Sequence, residues 1–226
     1  MNAESKKLAL RAVMTIAFSF AVLFIPAGTL AWPEAWAYFI LLTGFSFGIF
    51  AWLKKKNPAL YRERTSRKKK SEPWDKALVG AYSALLVVVL VISGLDAVRF
   101  GWSHVPLAVR ILGFLGYLPC AFLTVSVMKH NAFLSDVVRI QDDRGHQVCT
   151  TGPYGFVRHP MYVGIIIAML MIPLSLGSLF ALIPAALIVL LFILRTALED
   201  KTLRKELPGY QEYSRVVRYR LVPGIW

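Results

Sequence analysis

The chain has 226 residues, of which 57% are hydrophobic and only 17% are charged, and its mean hydropathy is +0.56. A soluble domain is usually about 45–50% apolar and about a quarter charged, so this composition excludes an ordinary soluble protein and indicates an integral membrane protein. The net charge of +13 therefore points to basic loops on the cytoplasmic face of a membrane rather than to nucleic acid binding. The two cysteines, Cys120 and Cys149, lie in different settings and predict neither a disulfide framework nor a metal site.

Four uncharged stretches are long enough to cross a membrane as helices. They cover residues 12–32, 35–53, 77–95 and 111–128, and each has about 20 residues, the length that spans a hydrocarbon core roughly 30 Å thick. Because unpaired backbone groups are costly in lipid, we expect each stretch to be helical. The predicted fold is all-α, a polytopic membrane bundle of about five to six membrane helices.

The fifth uncharged stretch, residues 160–194, is different because its 35 residues would form a helix of about 52 Å, too long for one ordinary span. Ser175, Gly177 and Ser178 lie near its middle and predict a helical hairpin with arms of roughly 15 residues. Two alternatives stay open, arms that cross a thinned or tilted region and arms that only re-enter the membrane.

The uneven distribution of lysine and arginine among the loops predicts the orientation of the chain. The loop at 54–73 carries nine of these residues, whereas the loop at 33–34 carries none. The positive-inside rule then places the basic loop and both termini in the cytoplasm. With a hairpin at 160–194, residues 129–159 and 195–226 are predicted to be cytoplasmic as well, so we expect the functional segments there.

This pattern divides the chain into two predicted parts. Residues 1–130 are expected to form N-terminal membrane helices with the basic cytoplasmic loop 54–73. Residues 131–226 are expected to form the functional core, made of a cytoplasmic connector, the hairpin 160–194 and a cytoplasmic C-terminal helix or tail.

Two further local predictions follow from residue types. Trp32, Trp36, Tyr38 and Trp102 lie near predicted span ends and are expected at the membrane–water interface, where amphipathic rings settle.

In the connector, β-prone residues on both sides of a turn at 142–145 predict two short extended pieces that lie against the membrane.

The entrance of the hairpin carries a basic pair. Pro160 is well placed as the first residue of the helix, because its missing N–H would be unpaired there and its ring fixes φ. Arg158 and His159 then lie at a helix N-terminus, which carries partial positive charge and free N–H groups. This end, with the Arg158 guanidinium, predicts a site for a carboxylate or a phosphate.

An acidic pair follows the second arm of the hairpin. If that arm continues as a helix, Glu199 and Asp200 lie about one turn beyond the membrane surface. A hairpin of equal arms returns its second end beside its first, which predicts that the pair lies near Arg158 and His159. Such a cluster would suit a zwitterion with a net positive charge. Its aromatic members would be Tyr154, Tyr162, Tyr210 and Tyr213.

In this order the residues resemble the motifs of a known family. The sequence contains Gly152-Pro153-Tyr154, then Arg158-His159-Pro160-x-Tyr162-x-Gly164, then the apolar hairpin, Glu199-Asp200-x-x-Leu203, and a tail Tyr210-x-x-Tyr213-x-x-x-Val217 that ends near Pro223. This set resembles the isoprenylcysteine carboxyl methyltransferase family and its phospholipid methyltransferase relatives. The resemblance covers residues 131–223, whereas the earlier spans resemble the family mainly in number and in hydrophobicity.

The resemblance implies a polytopic enzyme that uses S-adenosylmethionine, releases S-adenosylhomocysteine and takes a lipophilic acceptor from the bilayer. The sequence shows no Gly-x-Gly-x-x-Gly turn, which agrees with a cofactor pocket that needs no Rossmann sheet. The family's acidic pair is usually Glu-Glu, so the shorter side chain of Asp200 departs from the pattern while keeping the charge. The implied cofactor-binding residues are Tyr154, Arg158, His159, Tyr162, Glu199, Asp200, Tyr210 and Tyr213.

Methyl transfer is an in-line displacement at a sulfonium carbon, so the main work of the protein is positioning and exclusion of water. A carboxylate acceptor is already nucleophilic at neutral pH, whereas an amine or a thiol needs a base, for which His159 and Glu199 are the candidates. We therefore predict Arg158, His159 and Glu199 as catalytic residues, with Arg158 orienting either the acceptor carboxylate or the cofactor's methionine carboxylate. An isoprenylcysteine-like carboxylate, a phospholipid and a small thiol or amine all stay open as acceptors.

Two other functions fit parts of the pattern. Sterol reductases are similar to this family in their C-terminal halves and use a nicotinamide cofactor, but they carry more spans than this chain permits. The other alternative is a non-catalytic lipid-binding membrane protein in which the polar cluster forms an interfacial collar. The identity of a bound cofactor would distinguish these alternatives.

Overall fold

The fold is built from helices and connecting segments in the part of the chain that the structure describes. The computed structural model describes residues 3–65 and 72–226, and these ranges contain nine α-helices and no β-strand. Five helical segments are long and apolar enough to cross a membrane, by length and composition. The predicted all-α, multi-pass membrane bundle is therefore confirmed. The helices are α1 (Ala3–Ala27), α2 (Pro33–Lys56), α3 (Pro58–Thr65), α4 (Pro73–Gly94), α5 (Leu107–Leu115), α6 (Tyr117–His130), α7 (Pro160–Leu176), α8 (Leu182–Glu206) and α9 (Tyr210–Val216).

The four predicted single spans are confirmed with different bounds. They correspond to α1, to α2, to α4 with a π-helical extension over Leu95–Phe100, and to α5 together with α6. The first span ends earlier than predicted, at Ala27, because Gly28 adopts a φ of +73°, a left-handed conformation that ends a helix. Residues 66–71 of the predicted basic loop 54–73 lie outside the described residues.

The predicted hairpin at 160–194 is present as α7 and α8. Gly177 ends α7 with a φ of +82°, and the Ser178 hydroxyl accepts a hydrogen bond from Ala181 N at 3.1 Å as the chain turns. Ser175 lies in the last turn of α7 rather than in the turn itself. The arms are unequal, since the 17-residue α7 is shorter than an ordinary span whereas the 25-residue α8 is long enough to cross.

A buried carboxylate holds the hairpin turn against the extension of α4. Asp96 is 0% exposed, and its Oδ2 accepts hydrogen bonds from Ser103 Oγ at 2.7 Å, Ser178 Oγ at 2.5 Å and Phe180 N at 3.2 Å. These three donors compensate one oxygen of a carboxylate that water does not reach, so they attach the turn to one place on the bundle. The other oxygen, Oδ1, is buried and has no hydrogen-bond partner among the described residues.

The largest buried cluster joins α1, α2, α4, α7 and α8. Its members include Leu23, Ala35, Val89, Leu176 and Ile188, one from each helix, and none of these five is more than 1% exposed. The two arms of the hairpin therefore pack within the bundle, and the polar start of α7 and end of α8 lie together at one end of it.

The interface prediction is wrong for two of the four aromatic residues. Trp32 is 3% exposed and Tyr38 is 4% exposed, and both belong to the buried cluster. The connection between α1 and α2 folds inward, so that the Trp32 ring packs edge-on against Phe24 with ring centroids 6.5 Å apart. Trp36 and Trp102 are the exposed members, at 37% and 56%.

The connector forms the predicted turn, and the segments on both sides of it are not assigned to a β-strand. The turn is a 3₁₀ segment, Asp142–Arg144, which ends at Gly145 with a φ of +61°. Backbone groups of Val138 bond to α4 instead of to another extended piece, since its N–H donates to Asp75 Oδ2 at 2.8 Å and its carbonyl accepts from Glu72 N at 3.4 Å. The start of α4 thus satisfies backbone groups that a sheet would otherwise pair.

Candidate active site

A cavity of about 250 Å³ lies at the end of the bundle where α7 begins and α8 ends. The connector, both hairpin ends and α9 line it, together with Arg64 of α3 and Tyr82 of α4. The structure brings together all the residues predicted from the sequence, although Asp200 does not line the cavity. The predicted residues that line it are Tyr154, Arg158, His159, Tyr162, Glu199, Tyr210 and Tyr213.

Direct contacts join the two ends of the hairpin. The hydroxyl of Tyr162 donates a short hydrogen bond to Glu199 Oε2, although 37 residues separate them. Arg158 Nε lies 2.6 Å from Asp200 Oδ1 across a separation of 42 residues. The predicted closeness of the acidic pair to the start of α7 is therefore present, because α8 continues as a helix as far as Glu206.

Arg158 is buried and already bonded, at 3% exposure. Its Nε and Nη2 donate to the two oxygens of Asp200 at 2.6 and 3.2 Å, and its Nη1 donates to the carbonyls of Val217 and Arg218 at 2.8 and 2.7 Å. A guanidinium has five N–H donors, so these bonds use most of them. The open anion receptor predicted at Arg158 is instead a connection between α7, α8 and the C-terminal tail.

Asp200 is the centre of this connection and is 1% exposed. Besides Arg158, it lies 3.1 Å from Arg204 Nε and 3.0 Å from Arg220 Nε, and it accepts a hydrogen bond from the Tyr210 hydroxyl at 3.0 Å. Asp200 and Glu199 thus point in different directions, since Asp200 faces the tail and Glu199 faces the cavity.

Glu199 presents a carboxylate to the cavity. Its Oε2 accepts the Tyr162 hydroxyl, and its Oε1 has no hydrogen-bond partner within residues 3–65 and 72–226. The rings of His159 and Tyr162 stack beside it, with centroids 5.7 Å apart and planes 5° from parallel. His159 Nε2 lies 3.5 Å from the Tyr210 hydroxyl and 3.6 Å from Asp200 Oδ1. A negative group and a flat aromatic surface therefore adjoin in one wall.

The tail tyrosines and Tyr154 are neutral hydrogen-bonding groups. The Tyr213 hydroxyl donates to the carbonyl of Tyr154 at 2.7 Å, and the Tyr154 hydroxyl accepts from Asn131 Nδ2 at 2.8 Å. Burial raises the pKa of Tyr154 and of Tyr213 well above the ordinary value, and burial with the nearby charge of Asp200 raises the pKa of Tyr210. These residues attach α9 to the cavity wall as phenols.

Arg195 is a cavity residue that was not predicted from the sequence. It is 4% exposed, and its Nε donates to Asp75 Oδ1 at 2.8 Å while its Nη2 donates to the carbonyl of Asp136 at 2.9 Å. Its guanidinium carbon lies 5.2 Å from the ring centre of Tyr162 and 5.9 Å from that of Tyr82. A local signal existed, since an arginine follows directly on the 35-residue apolar stretch, but charges at span ends usually reflect topology.

Two further arginines, Arg64 and Arg139, line the connector side of the cavity, where carboxylates partly compensate their charge. Arg139 pairs with Glu63 at 3.1 Å and with Asp143 at 3.0 Å. Burial lowers the pKa of Arg64, and the negative charge of Asp136 opposes this shift. The cavity thus offers a carboxylate on one side and guanidinium groups on another.

The fold and the cavity define an integral membrane protein with a polar cavity at one end of a helical hairpin. The model of the isoprenylcysteine carboxyl methyltransferase (ICMT) family matches residues 115–205 of this chain. This match confirms the resemblance over less than half of the chain, and it supports a membrane methyltransferase in general. The segment includes the motifs around Arg158 and Glu199, whereas the tail motif at 210–223 lies outside it. No curated protein matches the chain.

Proposed function

We propose that this protein is a membrane methyltransferase that binds S-adenosylmethionine in the cavity at the end of the hairpin. The observation that carries the proposal is the meeting of the two hairpin ends, where Tyr162 bonds to Glu199 and stacks on His159. These three residues line one cavity and lie within the segment that is similar to the methyltransferase family.

The cavity residues fit the chemical groups of this cofactor. S-adenosylmethionine carries a sulfonium and an ammonium cation, a carboxylate and an adenine ring. Glu199 offers a carboxylate oxygen to a cation, since its Oε1 has no hydrogen-bond partner among the described residues. The stacked rings of His159 and Tyr162, with apolar Val138 and Leu207, line the same cavity and offer a surface for the adenine.

The reaction in this proposal is a direct displacement. When bound, S-adenosylmethionine supplies an electrophilic methyl carbon attached to a positively charged sulfur. A carboxylate acceptor forms an O–C bond to this carbon as the C–S bond breaks, the electron pair stays on sulfur, and no proton has to move. The protein then contributes binding, alignment and exclusion of water.

Arg195 is the cavity residue best suited to hold an anionic acceptor. Its Nη1 has no hydrogen-bond partner within the described ranges, whereas the donors of Arg158 are largely used. Arg195 lies one helical turn before Glu199, so a cation for the acceptor and a carboxylate for the cofactor lie side by side. This arrangement favours a lipophilic carboxylate such as an isoprenylcysteine over a cationic amine.

The three predicted catalytic residues have different parts in this proposal. Glu199 contacts the cofactor, and His159 acts as a base only if the acceptor is an amine or a thiol. Arg158 positions the tail and the start of α7, because its bonds reach Asp200 and the carbonyls of Val217 and Arg218. Tyr154, Tyr210 and Tyr213 support the cofactor wall through their hydroxyl bonds.

We also propose that the cavity faces the cytoplasm. α2 ends with three lysines, and its buried Leu53 packs with Leu60, Met128 and Met161 beside the start of α7. The positive-inside rule assigns this basic end to the cytoplasmic side. In this arrangement residues 131–226 form the methyltransferase core, and residues 1–130 add Arg64 and Tyr82 to its cavity.

Calorimetric titration with S-adenosylhomocysteine tests the cofactor site without knowledge of the acceptor. We expect the wild-type protein to bind, Glu199→Ala to lose most of this binding, and Glu206→Ala to bind like the wild type. Glu206 lies on the same helix but is solvent-exposed and outside the cavity, so it is a matched control.

The same titration separates the alternatives. No binding by folded wild-type protein, in lipid nanodiscs as well as in detergent, would contradict the proposal. Binding of a nicotinamide cofactor instead would favour a reductase, and binding of neither would favour a lipid-binding protein.

A further inference from the structure

Asp75 is a buried carboxylate that joins two parts of the cavity. It lies in the first turn of α4 and is 0% exposed. Its Oδ1 accepts a hydrogen bond from Arg195 Nε at 2.8 Å, and its Oδ2 accepts from Val138 N at 2.8 Å. One side chain of the N-terminal part therefore holds both a cation on α8 and the connector wall.

The orientation of Arg195 depends on this contact. Its guanidinium lies near the rings of Tyr82 and Tyr162, and its Nη2 is bonded to the carbonyl of Asp136. These contacts leave Nη1 as the nitrogen without a hydrogen-bond partner in the described residues, on a side chain that lines the cavity. Contacts with α4, α7 and the connector thus limit the rotation of the Arg195 guanidinium.

We propose that Asp75 is a positioning residue for acceptor binding. It holds both Arg195 and the connector at Val138, so that Arg195 Nη1 faces the anionic group of the acceptor. This proposal rests on the proposed function, since it concerns the acceptor side of the same cavity. Asp75 itself does not line the cavity. Its effect therefore reaches the acceptor only through Arg195 and the connector wall.

The chemistry of the contact requires a carboxylate. Arg195 Nε and Val138 N are both donors, and the two oxygens of Asp75 accept one bond each. In Asp75→Asn one of these acceptor oxygens becomes an NH₂ group. This NH₂ group then faces the N–H donor of Arg195 or of Val138. Either Arg195 or Val138 then loses its partner, and the acceptor side of the cavity loses its fixed geometry.

The matched control is Asp96→Asn at the other end of the same helical segment. Asp96 is also 0% exposed and accepts several donors, but these hold the hairpin turn and lie away from the cavity. Its substitution measures what the loss of a buried carboxylate does to stability alone. Asp75→Glu is the conservative variant, which keeps both acceptor oxygens on a longer side chain.

The test uses full-length protein with labelled S-adenosylmethionine and N-acetyl-S-farnesylcysteine as a carboxylate probe. We expect Asp75→Asn to raise the KM for the probe at least tenfold while the Kd for S-adenosylhomocysteine stays within twofold of wild type. Asp75→Glu should recover part of the loss, and Asp96→Asn should leave the KM unchanged. Hydrogen exchange should show faster exchange of the Val138 amide in Asp75→Asn than in Asp96→Asn.

Each opposite result overturns the proposal. An unchanged KM in Asp75→Asn, an equal rise in Asp96→Asn, or a parallel loss of S-adenosylhomocysteine binding would show that Asp75 only supports the fold. Unchanged Val138 exchange would contradict the contact itself. Wild-type protein that binds S-adenosylhomocysteine but does not methylate the probe would overturn this proposal alone, whereas failure to bind S-adenosylhomocysteine would overturn the proposed function.

Discussion

The side chains of Arg158 and Asp200 form a bidentate ion pair, with Nε–Oδ1 at 2.6 Å and Nη2–Oδ2 at 3.2 Å, although 42 residues separate them in the sequence. The pair is almost completely buried, at 3% and 1% exposure. It joins the start of α7 to the polar end of α8, and through the carbonyls of Val217 and Arg218 it fixes the tail. The junction of α7, α8 and the tail beside the cavity therefore depends on an interaction inside the protein rather than on a ligand.

Arg158→Ala should lower both stability and activity. Removing one partner of a buried ion pair commonly costs about 3–5 kcal/mol, because the other charge is left without its compensation. We expect a loss near the lower limit, since Arg204 and Arg220 still contact Asp200. Thermal unfolding in detergent measures this change.

Arg215→Ala is the control for that substitution, because Arg215 is an exposed arginine on α9 outside the cavity. Wild-type stability in Arg158→Ala, together with complete loss of turnover, would show that Arg158 binds a ligand directly.

Tyr162→Phe should weaken S-adenosylhomocysteine binding without unfolding the protein. The substitution removes the hydroxyl that bonds to Glu199 Oε2 while keeping the ring that stacks on His159. Because this hydrogen bond holds the Glu199 carboxylate in its orientation, we expect its removal to raise the Kd by roughly tenfold, which corresponds to about 1.4 kcal/mol. Calorimetry measures it, and Tyr219→Phe, at an exposed tail position, should bind as the wild type does. Equal affinities in both variants would exclude the Tyr162 hydroxyl from the cofactor wall.

His146 should make stability depend on pH. Burial lowers the pKa of His146, and the charges of Arg139 and Arg144 lower it further. Its Nδ1 lies 3.4 Å from Gln141 N, which donates to the neutral ring. Between the folded pKa and the unfolded value near 6.5, the unfolded chain binds more protons, so the free energy of unfolding rises with pH.

The measurement for His146 is the unfolding temperature between pH 5 and pH 8. We expect it to fall as the pH drops below about 6.5, and the fall should be smaller in His146→Asn, which keeps an acceptor but does not titrate. His104→Asn, at an exposed position outside this cavity, should follow the wild-type profile. Identical profiles in all three proteins would disprove the assignment.

Gly113→Ala should destabilise the contact between α5 and α7. A Cβ at Gly113 would lie 2.6 Å from the backbone nitrogen of Ser175 and 2.9 Å from its Cα, so one helix would have to move. Overpacking of this kind costs about 1–3 kcal/mol. Gly48→Ala on α2, where a Cβ has no neighbour within 4 Å among the described residues, is the control in thermal unfolding. Equal unfolding temperatures would contradict this close approach.

The membrane class, the spans and the hairpin could be predicted from the sequence because they depend on local properties. The length of each uncharged stretch is set by the thickness of the bilayer, and Gly177 marks the turn whatever the helices pack against. The members of the polar cluster could also be named, since a hairpin returns its second end beside its first. Tyr154, His159, Tyr162 and Glu199 accordingly line one cavity.

Long-range contacts determine which polar groups face that cavity and which bond to other groups inside the protein. Arg158 and Arg195 both adjoin the apolar stretch in the sequence, but the tail occupies the donors of Arg158 while Asp75 and Asp136 leave one nitrogen of Arg195 unbonded. The partner of Arg195 lies 120 residues away on α4, and no local pattern relates the two. A buried charge must find a partner wherever the fold supplies one, so its role follows from long-range contacts.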